Sequence, residues 1–83
     1  KHNEYRETNM VDKVYRMLQR LSHEVGISTE GGILVEGISH RELADYIGLS
    51  RQIVTMAMND LKKANRIEYG RKRIFIAEQT DFR

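Results

Sequence analysis

Cysteine, proline and tryptophan are absent from the sequence, which has 83 residues. Without cysteine, the chain has neither a disulfide framework nor a thiolate zinc site. Without proline, each helix has to end at a glycine or at a capping residue. No apolar run approaches the ~20 residues that a membrane-spanning helix needs. We therefore expect a globular protein of the reducing cytoplasm that has no membrane partner.

The length and the composition indicate a single small domain. A chain of this size buries only about 60–65% of its unfolded surface, so its core is thin. Apolar residues make up 40% of the chain and charged residues 31%, which is typical of globular rather than disordered proteins. The first residue is Lys1 and no signal peptide is visible, so we expect a processed or excised piece of a longer protein.

Positive charge is concentrated in the second half of the chain. Residues 51–73 contain seven Lys or Arg residues against two Asp or Glu residues. A basic segment of this kind suits a polyanionic partner such as nucleic acid. A solvated charged surface would give the same count, so charge alone does not decide between the two.

The first half of the chain predicts one helix and one strand. Apolar residues recur at spacings of three and four between residues 10 and 25, which is one face of an amphipathic helix. Asn9 is a suitable N-cap and Gly26 a suitable stop. Residues 1–8 are interpreted as a linker or as the frayed end of a missing element. Residues 26–32 are predicted as a turn or loop, and residues 33–35 as a short strand that ends before Gly37.

Two short helices follow, with a tight turn between them. Ser39 and Glu42 fit a capping box at the start of the first helix, and Gly48 ends it. Ser50 caps the second helix, which is predicted to end near residue 64 or 65. Two short β-type runs, residues 66–69 and 73–76, then flank a basic tip at residues 70–72 and predict a hairpin.

The spacing of small and apolar residues across the turn indicates a helix-turn-helix. That motif needs a small residue where the helices approach, a left-handed residue in the turn, and small or β-branched residues facing inward. Five positions meet these demands at the right mutual spacing: Ala44, Gly48, Leu49, Val54 and Ala57. An ordinary helical hairpin is the alternative interpretation.

The outward face of the second helix suits base recognition. At 100° per residue, the residues opposite Val54 are Gln52, Thr55, Met56, Asn59 and Lys63. Amide and hydroxyl groups match base edges, an apolar group matches the thymine methyl, and Arg51 can reach guanine O6 and N7. We therefore predict four base-reading residues: Arg51, Gln52, Thr55 and Met56. For Met56, simple tolerance of an exposed side chain is the alternative.

A second group of residues suits the phosphates that flank a groove, because these residues carry cations, helix N-termini or hydroxyl groups. The predicted phosphate-binding residues are Ser39, His40, Ser50, Lys63, Arg71, Lys72 and Arg73. The two serines could equally serve as helix caps alone, and the two roles are compatible. The partner expected from both groups of residues is double-stranded DNA.

No residue pattern indicates an enzyme. The sequence has no phosphate-cradling Gly-Lys-Ser/Thr loop and no Gly-x-Ser-x-Gly elbow. The histidines, His2, His23 and His40, lie at spacings that match no metal motif. We therefore expect neither catalysis nor a metal or cofactor in this domain.

Residues 38–76, with the sequence ISHRELADYIGLSRQIVTMAMNDLKKANRIEYGRKRIFI, resemble the DNA-binding domain of the Crp/Fnr family of bacterial transcription regulators. The resemblance extends over about residues 9–77. It implies a preceding β-roll effector domain with an unknown ligand, a long dimerisation helix, and a hinge at residues 1–8. It also implies a homodimer in the full-length protein and RNA polymerase as a further candidate partner. Because helix 10–25 has one apolar face and no spare heptad seam, we expect this fragment to be a monomer.

The second helix matches the family's pattern only in part. That helix typically opens Ser-Arg-Glu-Thr-Val, with a second Arg two residues after the Val. Ser50, Arg51 and Val54 match, whereas three departures occur at Gln52, Ile53 and Met56. The family's usual operator sequence therefore does not follow from the resemblance.

The predicted fold is mainly α with a small β component: a winged helix-turn-helix with a three-helix core and a β-hairpin wing, over residues 9–83. The predicted function is sequence-specific binding of duplex DNA in transcription regulation, in the cytoplasm and at the nucleoid. The alternatives are a winged helix of another regulator family and a winged helix used for protein–protein contact. The latter would show an exposed apolar patch rather than a basic wing.

Overall fold

A computed structural model describes the backbone of residues 2–78 and the side chains of residues 10–78. Lys1 and residues 79–83, which the predicted domain boundaries include, lie outside the described residues. The elements in chain order are α1 (His2–Val25), β1 (Ile27–Thr29), β2 (Gly32–Glu36), α2 (His40–Ile47), α3 (Arg51–Lys63), β3 (Ile67–Gly70) and β4 (Arg73–Ala77). The predicted winged helix-turn-helix is confirmed.

Helix α1 is longer than predicted at its N-terminal end. It begins at His2, so Asn9 lies within the helix and does not cap it, and residues 2–8 are helical. This segment contains no proline or glycine that would stop the helix. The apolar period from residue 10 marks where the helix packs against the core, and it does not mark where the helix begins. The C-terminal end at Val25, just before Gly26, agrees with the prediction.

The glycine-containing segment after α1 forms a strand that was predicted as a loop. Residues Ile27–Thr29 pair antiparallel with β2, and all three are exposed. The strand lies at the edge of the sheet and buries no side chain, so it leaves no alternating apolar signal in the sequence. Gly31, with φ of 89°, supplies the left-handed residue of the hairpin turn.

The helix-turn-helix forms as its local signals predict. The hydroxyl of Ser39 accepts a hydrogen bond from the Glu42 backbone N–H, and the Glu42 carboxylate accepts one from the Ser39 backbone N–H. Gly48 adopts φ of 87° and its N–H bonds the carbonyl of Ala44, which ends α2. The hydroxyl of Ser50 accepts from the Ile53 N–H at the start of α3. Capping therefore fixes the boundaries of both helices.

The wing belongs to a larger antiparallel sheet with the strand order β1-β2-β4-β3. Strand β4 pairs with β3 on one side and with β2 on the other, in a register that sets Val35 opposite Ile74. The predicted tip included Gly70, but Gly70 is the last residue of β3 and pairs with Arg73. The left-handed residue of the turn is Lys72, with φ of 55°.

One hydrophobic core joins the helices to the sheet. Helix α1 packs against α3, β2 and β4, and α2 packs against α3. The side chains that are almost fully buried include Val14, Leu18, Val35, Leu43, Val54, Met58, Ile67 and Ile74. Because α3 buries this face, its opposite face lies in solvent.

Candidate nucleic-acid interface

The predicted base-reading residues share one surface of α3. Arg51, Gln52, Thr55, Met56 and Asn59 line a shallow open depression on the outer side of the helix. Met56 is 53% exposed, although an apolar side chain of this size gains by burial. The surface therefore presents one guanidinium, two carboxamides, one hydroxyl and one thioether, arranged by the helical period.

Thr55 is the least available of these side chains. It is half-buried, and its Oγ1 lies 3.4 Å from Nδ1 of His40, which is at the start of α2. Burial lowers the pKa of the His40 imidazole below its ordinary value, and the nearby Arg51 guanidinium lowers it further. His40 is thus held in its neutral form, in which one ring nitrogen can accept a hydrogen bond from Thr55.

The start of α2 lies near both the start of α3 and the wing turn. Arg51 acts electrostatically on His40, and Lys72 acts on Glu42. The backbone N–H of Ser39, followed by its hydroxyl, holds the pKa of the Glu42 carboxyl below its ordinary value. The N-terminal end of α2 is therefore flanked by two cations from separate elements.

The two capping serines differ in what their hydroxyl groups can still donate. In each, the hydroxyl oxygen accepts from a backbone N–H of its own helix, at 3.1 Å for Ser39 and 3.2 Å for Ser50. A hydroxyl that accepts one hydrogen bond still has its proton to donate. The Ser39 hydroxyl also donates to the Glu42 carboxylate, so a phosphate there would compete with Glu42. Ser50 has no such carboxylate partner among the described contacts, and capping and phosphate binding are compatible at that position.

The three cations of the wing differ in their surroundings. Arg71 and Lys72 form the exposed turn, and the Lys72 carbonyl accepts a hydrogen bond of 2.9 Å from the Gly37 N–H. Arg73 lies 3.8 Å from the carboxylate of Glu36 on β2, measured from its Nε. A phosphate at Arg73 would compete with this ion pair, whereas no ion pair is described for Arg71 or Lys72.

Lys63 lies apart from the wing, at the C-terminal end of α3. The residues that share its surface are Asn59, Lys62, Asn65 and Glu68. Asn59 therefore belongs both to this surface and to the predicted base-reading surface. Lys63 is exposed and free to approach a phosphate on the far side of a groove.

Sequence reasoning missed Tyr69, which contacts three residues around α3. Its hydroxyl donates a hydrogen bond to Oδ1 of Asn59. Its ring meets the His40 ring edge-on at a centroid distance of 5.0 Å, and Nζ of Lys62 lies 5.2 Å from its centroid. The sequence contains a signal for the inward position of Tyr69. Ile67 and Tyr69 alternate with exposed Glu68 and thus share the face of β3 that packs on α3.

The described residues were also compared with the requirements of a metal site, a membrane-spanning helix and an exposed apolar patch. No three described His, Asp or Glu residues lie close enough together to hold a metal ion. No described helix is both long and apolar enough to cross a bilayer. The large apolar side chains that are exposed are Val25, Ile27, Tyr46 and Met56, of which Met56 alone belongs to α3.

Comparison with solved structures shows the same fold in parts of three longer proteins. The reduced (Fe(II)) CO-sensing protein from R. rubrum superposes with a TM-score of 0.73 at 22% identity, over 92% of this chain and 35% of that chain. CooA, the CO-dependent transcription factor of Carboxydothermus hydrogenoformans in its imidazole-bound form, gives 0.69 at 24% identity, over 82% and 32%. Reduced CprK without ligand gives 0.65 at 15% identity, over 81% and 33%.

The family follows from the sequence match. This chain spans about a third of the length of these solved structures, whose identities establish the fold alone. No curated protein matches the sequence. A family model described as a Crp-like helix-turn-helix domain matches residues 12–80, which is most of the chain. The chain therefore belongs to the Crp-like helix-turn-helix domain family and is a DNA-binding domain of transcription regulation.

Proposed function

We propose that this domain binds duplex DNA at defined sequences, with α3 in the major groove. One observation carries the proposal. Arg51, Gln52 and Met56 are exposed on a single surface of α3 that carries no acidic side chain among its lining residues. A groove of B-DNA about 12 Å wide admits one helix, and its base edges present the acceptors, donors and methyl groups that these side chains match.

Each base-reading residue has a preferred partner. The guanidinium of Arg51 donates to guanine O6 and N7, the carboxamide of Gln52 pairs with adenine N6 and N7, and Met56 packs on a thymine methyl. Thr55 shares its hydroxyl with His40 and contributes mainly its methyl group. We therefore expect a half-site that is rich in A·T pairs and contains one G·C pair opposite Arg51.

Phosphate contacts position the helix in the groove. Ser39, His40 and Ser50 would meet one strand at the N-terminal ends of α2 and α3, where backbone N–H groups point outward. The wing residues Arg71, Lys72 and Arg73 and the distal Lys63 would meet phosphates on either side. These contacts give affinity for any duplex and carry no sequence information.

The test is selection of binding sites from random duplexes by the domain and by a Q52E/M56R variant. We expect the unchanged domain to enrich an A·T-rich half-site. The variant should shift toward G·C pairs, because Glu accepts from cytosine N4 and Arg donates to guanine. Enrichment of the same site by both proteins would contradict base reading by Gln52 and Met56. Failure of the unchanged domain to enrich any site would contradict sequence-specific binding.

The domain would act within a larger regulator. We propose a homodimer that places two copies on half-sites about one helical turn, ~34 Å, apart. A preceding effector domain would control the pair, and RNA polymerase would be a partner at the promoter. Such a regulator works in the cytoplasm at the nucleoid, and we assign no catalytic role to this domain.

A further inference from the structure

The side chain of Tyr69 connects the wing to the outer surface of α3. Its hydroxyl donates to the carboxamide oxygen of Asn59, while its ring is placed between the His40 ring, at 5.0 Å, and Nζ of Lys62, at 5.2 Å. Tyr69 comes from β3, His40 from α2, and the other two residues from α3. Three elements thus fix the position of this hydroxyl group.

This hydrogen bond determines what Asn59 presents to a ligand. A free carboxamide can rotate and offer an acceptor together with a donor, which is the pattern that adenine N6 and N7 require. With the oxygen of Asn59 directed to Tyr69, the planar group turns its N–H donors to the opposite side. N–H donors that face outward match guanine O6 and N7 or thymine O4 best, whereas adenine presents the N6 donor beside its N7 acceptor.

Asn59 also has the right position for base contact. It is exposed, follows Thr55 by four residues and Met56 by three, and therefore continues the same stripe of α3. It carries no charge, whereas the charged Lys62 and Lys63 lie beyond it and suit phosphates. Its place and its chemistry favour a base edge over the phosphate backbone.

We propose that Asn59 is a further base-reading residue and that Tyr69 is its positioning residue, so that one base pair of the site is selected for an acceptor and against adenine. This inference rests on the proposed sequence-specific binding. The wing would then contribute to sequence preference, because its Tyr69 orients the Asn59 side chain of α3. This role adds to the contacts of the wing with phosphates.

The experiment compares the sites selected from random duplexes by the unchanged domain and by N59A, Y69F and the double variant. Protein is used at micromolar concentration and low salt, because a single half-site is bound weakly. N59A should flatten the preference at one base pair by about two- to tenfold, the value of one hydrogen bond. Y69F retains the ring and frees the carboxamide, so it should admit adenine at that pair. The double variant should match N59A.

Y46F is the matched control, because Tyr46 is an exposed tyrosine on α2 away from the α3 surface. It should select the same site as the unchanged domain. If the unchanged domain selects a site and N59A and Y69F both keep its preference at every pair, the inference is wrong while the proposed function stands. An equal loss on all duplexes for N59A would make Asn59 a phosphate contact and would also overturn it. Failure of the unchanged domain to enrich any site contradicts the proposed function itself.

Discussion

Arg51 and Lys72 are exposed cations on either side of the start of α2, yet we expect them to act differently on DNA. Arg51 belongs to the first turn of α3, and Lys72 to the turn of the wing. Arg51→Ala should cost ~1–3 kcal/mol on the selected site and much less on random DNA. Lys72→Ala should weaken binding to all duplexes similarly and lower the salt slope by about one.

Fluorescence anisotropy over a series of salt concentrations measures both quantities. Ala at position 72 has the same left-handed backbone cost as Lys to a first approximation, so the comparison isolates the charge. Equal losses on selected and random DNA for Arg51→Ala would show that Arg51 contacts phosphate only.

The stability of the free domain should depend on pH through His40. Burial and Arg51 depress the pKa of His40 in the folded state, so the unfolded chain takes up the proton more readily. Stability from this group is complete above its ordinary pKa of about 6.5 and is lost as the pH falls through the lower folded pKa. Denaturant unfolding at a series of pH values should show this loss, and it should be smaller in His40→Gln.

The same proton should act in the opposite sense on DNA binding. A phosphate beside His40 favours the charged imidazole, so binding takes up a proton. Affinity should rise as the pH falls through the pKa of His40 in the complex and level off below its depressed pKa in the free domain. The gain cannot exceed about tenfold per pH unit for one group. His40→Gln retains the other histidines and should lack this gain. An identical pH dependence in both proteins would remove His40 from the phosphate contacts.

The turn between α2 and α3 can be tested by substituting Gly48, with Gly70 at the end of β3 as the control. Gly48 has φ of 87°, and a Cβ added there would meet no atom within 4 Å, so only the backbone conformation opposes a side chain. Gly48→Ala should cost ~1–2 kcal/mol. Gly70 has equal space but no left-handed conformation, and Gly70→Ala should change stability by less than about 0.5 kcal/mol.

Urea unfolding of the two variants gives the comparison directly. Equal stabilities would show that the turn after α2 accepts another backbone conformation. They would also remove the reason for a glycine at position 48 of the helix-turn-helix.

The sequence predicted those elements whose boundaries depend on neighbouring residues. Both short helices have caps within three residues of their first turn, and hydrogen bonds at Ser39, Ser50 and Gly48 confirm them. Strand β1 could not be predicted in this way, because it consists of exposed residues that pair only through the backbone. The start of α1 was missed for a related reason, since no capping residue or breaker marks it.

Within the candidate site, too, the features that depend on local sequence could be predicted and those that depend on packing between elements could not. The common surface of Arg51, Gln52 and Met56 follows from the helical period and was predicted. The contact of Tyr69 with Asn59 joins residues of two elements, and its geometry depends on how β3 packs on α3. The hairpin of β3 and β4 was predicted, but no local pattern specifies how this hairpin packs on α3.

At the scale of the whole molecule, we expect the isolated chain to be monomeric. The apolar face of α1 is used within the domain, because Val14, Leu18 and Leu21 are buried in its core. No spare apolar seam remains along this part of the helix for a second copy. Sedimentation at micromolar concentration should give a monomer, and affinity for one half-site should lie near the non-specific range, ~10⁻⁴–10⁻⁶ M at physiological salt. A tight dimer would contradict this expectation.

The pairing of β2 with β4 has a consequence for how the chain acquires its fold. These two strands lie on either side of the helix-turn-helix in the sequence, so their pairing from Glu36 to Arg73 closes a loop that contains both short helices. Helices can form from local contacts as synthesis proceeds, whereas loop closure has to wait for the distant strand. The outer surface of α3 should therefore reach its final position in the fold only after β4 has left the ribosome. A protease cut in the wing would open this loop, so we expect it to lower the stability of the helix-turn-helix.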